Sequence, residues 1–348
     1  MDLIHPRTPA DVAEALRDSS ASGRRLLVVG GRRHLDKGNP AEVDAELWTT
    51  QLDQVVAYEP AEMLAVVQAG MRVGALAELL AENGQEWPAD APADATVGGV
   101  LASGSSSARR SKVGALRDTV TEMMLVTGDG RTVKTGARTV KNVTGYDLHR
   151  LLTGSLGTLG VITQVALKVR PSPETRRTLV VPGGLDLATA VAAEVPLASG
   201  VLASPGSVEV LLEGWAGEVD ELTGAVSGVA PGATPLEGAP FPRSPWWTWP
   251  GDGTIVEAAV PPSKVGEIVD GSRSFAALAG VGLAWVATSA EELDVLRGRV
   301  GAVGGIAPAV RGAGGLGEGP VPGHDVHRRL TASFDPAGIL APGRGWHR

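Results

Sequence analysis

Residues 141 to 169 read Lys-Asn-Val-Thr-Gly-Tyr-Asp-Leu-His-Arg-Leu-Leu-Thr-Gly-Ser-Leu-Gly-Thr-Leu-Gly-Val-Ile-Thr-Gln-Val-Ala-Leu-Lys-Val, and the rest of the chain is best interpreted from this stretch. Three leucines, at 148, 151 and 152, have helical spacing, so we expect a short helix that ends at Gly154. From Val161 the apolar residues alternate, which predicts a strand closed by Pro171. The order is helix, glycines, strand, whereas a Rossmann turn runs strand, glycines, helix. The usual nicotinamide-binding motif is therefore excluded.

Glycines recur in two further places that suit a ligand. Gly30 and Gly31 follow a predicted strand from Leu26 to Val29, and backbone amides in such a turn can meet a phosphate. No Gly-Lys-Ser/Thr follows, so this is not an ATP P-loop, and an ordinary strand-ending turn explains the pattern equally well. Residues 94 to 104 are small and glycine-rich, which predicts a ligand-binding or flexible loop rather than a stable helix.

Composition limits the class of protein. The 348 residues, 43% of them hydrophobic, suffice for two domains. A net charge of -8 without a Lys/Arg-rich run argues against a nucleic-acid partner. The chain has no cysteine, so it holds neither a disulfide nor an iron-sulfur cluster. Because no signal peptide and no apolar run of about 18 residues occur, we expect a cytoplasmic protein without a membrane span. Any association with the inner membrane is expected to occur through partner subunits.

Several motifs together resemble a known family. Lys-Asn-Val-x-Gly-Tyr-Asp-Leu and Gly-Ser-x-Gly-Thr-Leu-Gly-Val-Ile-Thr resemble the end of the PCMH-type FAD-binding domain of FAD-linked oxidases with the vanillyl-alcohol oxidase fold. Thr-Val-Gly-Gly-x-x-Ala and Arg-Arg-x-x-x-Gly-x-x-Arg-Asp are similar to the E-type FAD-binding subunit of bacterial glycolate oxidases. The match covers residues 26 to 174. The chain departs from the family at Leu156, where many members have Glu, and at Ala341, where members often have Asn.

The resemblance implies an α+β fold in three parts. Residues 1–174 are expected to form an FAD-binding domain of two subdomains. Residues 175–320 are expected to form a ferredoxin-like α+β cap, and residues 321–348 to return to the FAD domain. Two rounds of predicted strands and helices after Pro173 favour a duplicated cap.

The resemblance also implies FAD as the cofactor. We expect it to be non-covalent, because His34 does not directly follow Gly31. The residues expected at the cofactor come from the three glycine loops and the arginine segment; they are Gly30, Gly31, Arg32, Arg33, His34, Thr96, Val97, Gly98, Gly99, Ala102, Ser103, Gly104, Arg109, Asp118, Gly154, Gly157, Thr158, Gly160, Val161 and Ile162. As an alternative, the arginines form a solvated charge cluster.

Catalytic candidates are fewer. Tyr146 and Arg344 are the polar residues expected near the substrate, while Asp147 either approaches the flavin or caps the following helix. His324 and His327 lie one helical turn apart, but a zinc site needs three or four ligands, so no metal is expected. The tryptophans at 246, 247 and 249 suit core packing, a pocket wall or a subunit interface.

The histidine distribution bears on function. No histidine occurs between residues 175 and 323. Related enzymes that oxidise 2-hydroxy acids directly use cap histidines, whose pKa suits them as bases. We therefore expect a flavoprotein subunit of a glycolate oxidase-like 2-hydroxy acid dehydrogenase. Its expected partners are a catalytic flavoprotein subunit and an iron-sulfur subunit. The small-molecule 2-hydroxy acid is expected to act on this chain directly or through a partner. A self-sufficient FAD-dependent alcohol or hydroxy acid oxidase and a structural subunit with a decayed flavin site are the alternatives.

Overall fold

The computed structural model describes residues 1–138, 147–237, 241–243, 245–317 and 323–345. Up to residue 171 the elements are β1 (Asp2–Ile4), α1 (Pro9–Ser22), β2 (Leu26–Val29), β3 (Ala45–Trp48), β4 (Val55–Glu59), β5 (Leu64–Gln68), α2 (Val73–Ala81), β6 (Gln85–Glu86), α3 (Val97–Ser103), α4 (Arg110–Val113), β7 (Val120–Val126), β8 (Thr132–Gly136), α5 (Leu148–Leu152), β9 (Val161–Lys168) and β10 (Arg170–Pro171).

The remaining elements are β11 (Thr175–Pro182), α6 (Leu185–Glu194), β12 (Gly200–Ser204), β13 (Ser207–Gly214), α7 (Ala216–Val229), β14 (Thr234–Glu237), β15 (Thr254–Ala259), α8 (Val265–Val269), β16 (Phe275–Leu278), β17 (Leu283–Thr288), α9 (Ala290–Ala302), β18 (Ala309–Arg311) and α10 (His324–Phe334). The chain forms two compact units. The first holds residues 1–106, 115–172 and the C-terminal segment, and the second holds Ser107–Gly114 and Pro173–Gly317.

A small parallel sheet with the order β1-β3-β2 begins the first unit. Its strands bury Leu26 and Leu47, which pack against Leu16 of α1. Helix α1 begins with a capping box: the Thr8 side chain accepts from the backbone of Asp11, and the Asp11 side chain accepts from the backbone of Thr8. This sheet carries the turn that follows β2.

The larger sheet of the first unit is antiparallel, with the order β4-β5-β9-β7-β8. The predicted strand is β9, and Val161 to Thr163 and Val165 to Leu167 are buried. It lies between β5 and β7, and its side chains enter two core clusters, Val161 with Leu16 of α1 and Ile162 with Leu101 of α3. The short helix α5 precedes it, and Asp147 stands at its N-terminal cap without a side-chain capping hydrogen bond. The proposed capping role of Asp147 is therefore not observed.

One expectation about the first unit is wrong. Residues 94 to 104 were expected to avoid a helix, yet Val97–Ser103 forms α3. Helix propensity is a weak influence that tertiary contacts often override. Here the Thr96 side chain caps the helix, Val97, Val100 and Leu101 are buried, and Gly104 ends it in the left-handed conformation.

The C-terminal segment is tied to β2. Leu340 bridges Leu26 in parallel, the Leu26 N–H donates to Ile339 at 2.7 Å, and the Ala341 N–H donates back to Leu26 at 2.8 Å. The buried Asp335 carboxylate accepts from the N–H groups of Ile339 at 3.1 Å and Leu340 at 2.7 Å. These bonds place Arg344 beside the turn after β2.

The second unit is one eight-stranded antiparallel sheet with the order β14-β11-β13-β12-β16-β17-β15-β18. Each half repeats the sequence strand, helix, strand, strand, helix, strand, first from β11 to β14 and then from β15 to β18. That arrangement is the ferredoxin-like motif. The α+β fold class is therefore confirmed.

The second unit also contains the short segment Ser107–Gly114, which the sequence had placed in the FAD domain. The physical reason is local: the Ser111 hydroxyl donates to the Ser199 carbonyl at 3.2 Å, and Ala108 packs among buried residues of this unit. Trp246 is buried in the same cluster and meets Trp247 edge-on, with ring centroids 5.6 Å apart. Core packing is thus what the structure shows for Trp246.

Within the described ranges, no helix combines the length and the apolar character needed to cross a bilayer.

Candidate functional site

A cleft in the first unit brings together four parts of the chain. Its walls come from β2 and the following turn, from the segment entering α3, from the loop after α5, and from the C-terminal segment. The lining residues are Val28, Gly30, Gly31, Arg32, Arg33, His34, Leu35, Ala95, Thr96, Gly99, Ala102, Ser103, Leu156 and Arg344. Ten of these are residues that the sequence or the resemblance indicated as site residues.

The turn of residues 30–34, called here the Gly30 turn, lies directly on the segment before α3. A Cβ atom at Gly30 would stand 2.1 Å from the Thr96 hydroxyl, and one at Gly31 would stand 2.5 Å from the Asp94 carbonyl. Real Cβ atoms do not approach so closely, so only glycine permits this contact. The glycine pair therefore brings the Gly30 turn against Thr96.

The Gly30 turn presents backbone donors to the cleft. The N–H groups of Gly31, Arg32 and Arg33 donate to no other residue in the part of the chain that the structure describes. Arg32 has a φ of 58°, the left-handed region. Left-handed residues inside a turn can direct successive N–H groups to one side, forming a concave site for an anion. The backbone of this turn suits a phosphate.

The arginine side chains of the Gly30 turn are bound to carboxylates of the protein. Arg32 makes a forked ion pair with the buried Glu46, with nitrogen–oxygen distances from 2.8 to 3.0 Å. Arg33 pairs with Asp94, and this contact lowers the pKa of the Asp94 carboxyl. The hydrogen bonds of both guanidinium groups thus go to protein carboxylates, while the backbone N–H groups of the turn remain open to a ligand.

His34 also lines the cleft. Burial, aided by the charge of Lys37, lowers the pKa of its imidazole from about 6.5 to about 4. The side chain is therefore neutral at pH 7, with one nitrogen donating and the other accepting.

The N-terminus of α3 is closed to a ligand. The Val97 N–H donates to Met71 at 2.9 Å and the Gly98 N–H donates to Ala69 at 2.7 Å. The Gly99 N–H donates to the Thr96 hydroxyl at 3.2 Å. All three donors are satisfied within the protein, so Val97 and Gly98 hold the helix in place. Gly99, Ala102 and Ser103 reach the cleft through their positions further along α3.

The loop after α5 closes the other end of α3. The Gly154 N–H donates to Leu101 at 2.9 Å, and the Leu156 N–H donates to Ala102 at 2.8 Å. Gly104 and Gly154 touch so closely that a Cβ at Gly104 would lie 2.9 Å from the Gly154 Cα. Leu156, with a φ of 56°, presents an apolar side chain to the cleft where many family members have Glu.

The other expected site residues lie away from the cleft lining. They are Val97, Gly98, Gly104, Arg109, Asp118, Gly154, Gly157, Thr158, Gly160, Val161 and Ile162. Val161 and Ile162 pack in the core, Asp118 pairs with Arg150 at 2.7 Å, and Arg109 belongs to the second unit, where it pairs with Glu213 at 3.3 Å. Tyr146 lies outside the described residues.

Arg344 is buried beside the Gly30 turn. Its Nη2 donates to the carbonyls of Leu35 at 2.8 Å and Lys37 at 2.6 Å. Burial lowers the pKa of its guanidinium, although the group stays protonated in any ordinary buffer. Arg344 holds the chain after the Gly30 turn and adds positive charge to the cleft.

Sequence reasoning missed four lining residues: Val28, Leu35, Ala95 and Leu156. Leu35 and Ala95 adjoin expected site residues and Val28 lies two positions before Gly30, so nearby residues were the available signal. Leu156 was noticed only as a departure from the family. Among the described residues, no group of three or more histidine, aspartate or glutamate side chains could hold a metal ion.

The cleft residues fit FAD. Its diphosphate needs hydrogen-bond donors, and the Gly30 turn supplies three backbone N–H groups that have no acceptor within the described ranges. The absence of side chains at Gly31 and Gly99 leaves the backbone accessible. Arg344 contributes a positive charge for the diphosphate.

Comparison with known proteins agrees with this geometry. Residues 3–136 match the family described as FAD binding domain. The chain is 29% identical to glycolate oxidase subunit GlcE of Escherichia coli (strain K12), covering 83% of this chain and 84% of that protein. It is 34% identical to D-lactate dehydrogenase of Anaerostipes hadrus, but over only 46% of this chain and 33% of the relative. Solved alkyldihydroxyacetonephosphate synthase shares the fold at a TM-score of 0.72, with 16% identity over 98% of this chain and 75% of the synthase.

These findings confirm the resemblance to FAD-linked oxidases and FAD as the cofactor. The chain is an FAD-binding oxidoreductase, similar to glycolate oxidase subunits and to related hydroxy acid dehydrogenases. It spans most of GlcE but only about a third of the D-lactate dehydrogenase.

Proposed function

We propose that this chain is the E-type flavoprotein subunit of a glycolate oxidase-like 2-hydroxy acid dehydrogenase. In that complex it binds FAD in the first unit and exchanges electrons with a separate catalytic flavoprotein subunit and an iron-sulfur subunit. The observation that carries the proposal is the lack of any histidine between residues 175 and 323. A hydroxy acid loses its hydroxyl proton as it is oxidised, and histidine is the side chain best suited to take that proton near neutral pH.

Buried carboxylates of the second unit support the same interpretation. Glu213 contacts both Arg109 at 3.3 Å and Arg176 at 3.0 Å. Glu209 contacts Arg243 at 3.3 Å, and its other oxygen accepts the Arg243 backbone N–H at 3.0 Å. Both carboxylates are thus already engaged in ion pairs with arginines of the protein. These groups hold the sheet together and do not replace a catalytic histidine.

FAD supplies the redox chemistry when it is bound, by accepting a hydride or electrons. The residues of this chain then bind and orient it. The Gly30 turn would donate backbone hydrogen bonds to the diphosphate, and Arg344 holds the chain beside that turn. Leu156 supplies an apolar wall, so this position offers the flavoprotein no carboxylate for proton transfer.

Anaerobic mixing of the purified holoprotein with glycolate or D-lactate tests the proposal. The flavin absorbance of the isolated chain should change slowly or not at all, because a missing general base typically costs about 10² to 10⁴ in rate. Addition of the partner subunits should restore reduction. Bleaching of the isolated chain within seconds would instead identify a self-sufficient alcohol or hydroxy acid oxidase.

The link between protein and flavin gives a second test. We propose non-covalent FAD, since His34 does not directly follow Gly31. Acid precipitation of the holoprotein should release the yellow colour into the supernatant. Flavin that stays with the pellet would show a covalent bond, and a colourless protein that fails to take up FAD would support a decayed structural subunit.

A further inference from the structure

We propose that Arg32, Glu46 and Trp48 form a positioning cluster that holds the Gly30 turn in its anion-binding conformation, and that Arg32 is not itself a ligand of the diphosphate. The proposal deepens the proposed function and rests on the cleft being the FAD site. None of the three residues is placed in this role by the sequence motifs, which indicated Arg32 only as a cofactor contact.

The conformation of Arg32 requires such a device. Its φ of 58° is unfavourable for a residue with a Cβ atom, and glycine is the usual choice there. A side chain that persists in this region does so because its surroundings hold it. The conformation of Arg32 also sets the direction of the N–H groups of the turn. Loss of the constraint on Arg32 should therefore lower the affinity for FAD.

The surroundings that hold Arg32 are well defined. Both terminal nitrogens of its guanidinium contact Glu46, at 2.8 to 3.0 Å. The Glu46 carboxylate also accepts the indole N–H of Trp48 at 2.8 Å, and the guanidinium lies 5.2 Å from the centre of the Trp48 ring. Glu46 is 2% exposed and belongs to β3, which pairs with β2 along its length. The cluster therefore connects the Gly30 turn to a buried strand.

A buried carboxylate near a diphosphate site calls for an explanation of its own. An unpaired anion there would repel the ligand, and removing one partner of a buried pair is costly. Pairing with Arg32 cancels that repulsion, but it also occupies the guanidinium edge that would form a fork with a phosphate. Arg32 cannot use the same edge for Glu46 and for the diphosphate. Substitution of Glu46 should therefore lower FAD affinity if Arg32 is a positioning residue, and leave it unchanged or raise it if Arg32 is a ligand.

The experiment titrates the apo form of the full chain with FAD and follows flavin fluorescence. Glu46→Gln keeps the shape of the side chain but removes its charge, and we expect FAD to bind about tenfold more weakly, about 1.4 kcal/mol. Arg32→Lys keeps the charge but cannot form the fork, so it should weaken FAD similarly. ADP carries the diphosphate without the flavin. When ADP competes with FAD, its affinity for each variant should fall by the same factor.

The double variant Arg32→Gly with Glu46→Gln tests the backbone directly. Glycine adopts the left-handed conformation without help, so this variant should bind FAD more tightly than Glu46→Gln alone. If Arg32 contacts the diphosphate, the opposite pattern appears. Glu46→Gln then frees the arginine and leaves affinity unchanged or higher, and the double variant, which lacks the arginine, is the weakest; either result overturns the proposal.

Glu122→Gln is the matched control. Glu122 has a similarly buried carboxylate in the same unit, paired with Lys134 at 2.9 Å and Arg138 at 3.3 Å, and it does not line the cleft. It should lose thermal stability as Glu46→Gln does, yet keep its FAD affinity. An equal loss of affinity in both variants would reduce the cluster to a general stabilising role.

Gly31→Val separates failure of the site from failure of the cluster. If a folded Gly31→Val protein still binds FAD like the wild type, the cofactor lies elsewhere and the proposed site is wrong. If Gly31→Val loses FAD while Glu46→Gln and Arg32→Lys match Glu122→Gln, the site stands and only the positioning role is refuted.

Discussion

The backbone N–H groups around Gly31 and those around Gly98 are used in different ways, although both segments border the same cleft. Around Gly31 the donors have no acceptor among the described residues and line the cleft. Around Gly98 the donors are bound to Met71, Ala69 and Thr96. The first segment can therefore bind an anion, whereas the second supports the fold. A glycine pair therefore predicts that another group lies close to the backbone. The surrounding structure determines whether that group is a ligand or another part of the protein.

The largest effect should follow from Gly98→Val. A Cβ atom at Gly98 would lie 2.7 Å from the Ala69 Cβ and 2.9 Å from the Ala69 carbonyl, so α3 must move or unfold. We expect a loss of about 3 kcal/mol or more in the free energy of unfolding. Urea unfolding of the apo protein measures it. A stability within error of the wild type would show that Gly98 is not packed as described.

Gly99→Val should affect the ligand and spare the fold. The nearest atom to a Cβ there is the Thr96 hydroxyl at 3.0 Å, and because Gly99 and Thr96 both line the cleft, added bulk at Gly99 should narrow it. Valine costs a helix no more than glycine does. We expect FAD affinity to fall about a hundredfold, about 2.8 kcal/mol, with unfolding changed by about 1 kcal/mol at most. Retained affinity in a folded variant would contradict the site.

The Gly30 turn should make stability depend on pH through His34. Its pKa of about 4 in the folded protein lies below the unfolded value of about 6.5, so folding favours the neutral imidazole. That contribution is complete above pH 6.5 and is lost as the pH falls toward 4. We expect about 2 kcal/mol less stability for the apo protein over this window. The unfolding free energy of His34→Gln should depend less on pH over this window than that of the wild type. The same pH dependence in both proteins would show that His34 is accessible to water.

Thr96 should give the smallest effect. Thr96→Ala removes the acceptor of the Gly99 N–H, which costs about 1 kcal/mol of stability for a helix cap. Thr96→Ser keeps the hydroxyl and serves as the control. If Thr96→Ala instead binds FAD more tightly without loss of stability, the freed donor of α3 is a better anion site than the structure indicates.

The sequence was sufficient for the class of protein, because that class depends on local patterns. The glycine loops and the repeated strands and helices after Pro173 each follow from short-range preferences that the fold retains. Glycine clusters also indicated most of the cleft, since close backbone contacts tolerate few other residues. The bounds of short strands such as β12 and β16 came only from the structure, because a buried strand of four or five residues carries little periodicity.

Only the tertiary structure decided how those residues are used. It showed that α3 is a helix, because capping and burial outweighed the cost of its glycines. It paired Arg109 with Glu213 of the second unit, 104 positions along the chain. It paired Arg32 with Glu46, 14 positions along the chain. Such contacts depend on which strands become neighbours, and no local preference encodes them. Small residues in the sequence therefore predict where the cleft lies, but the fold determines which of its donors can reach a ligand.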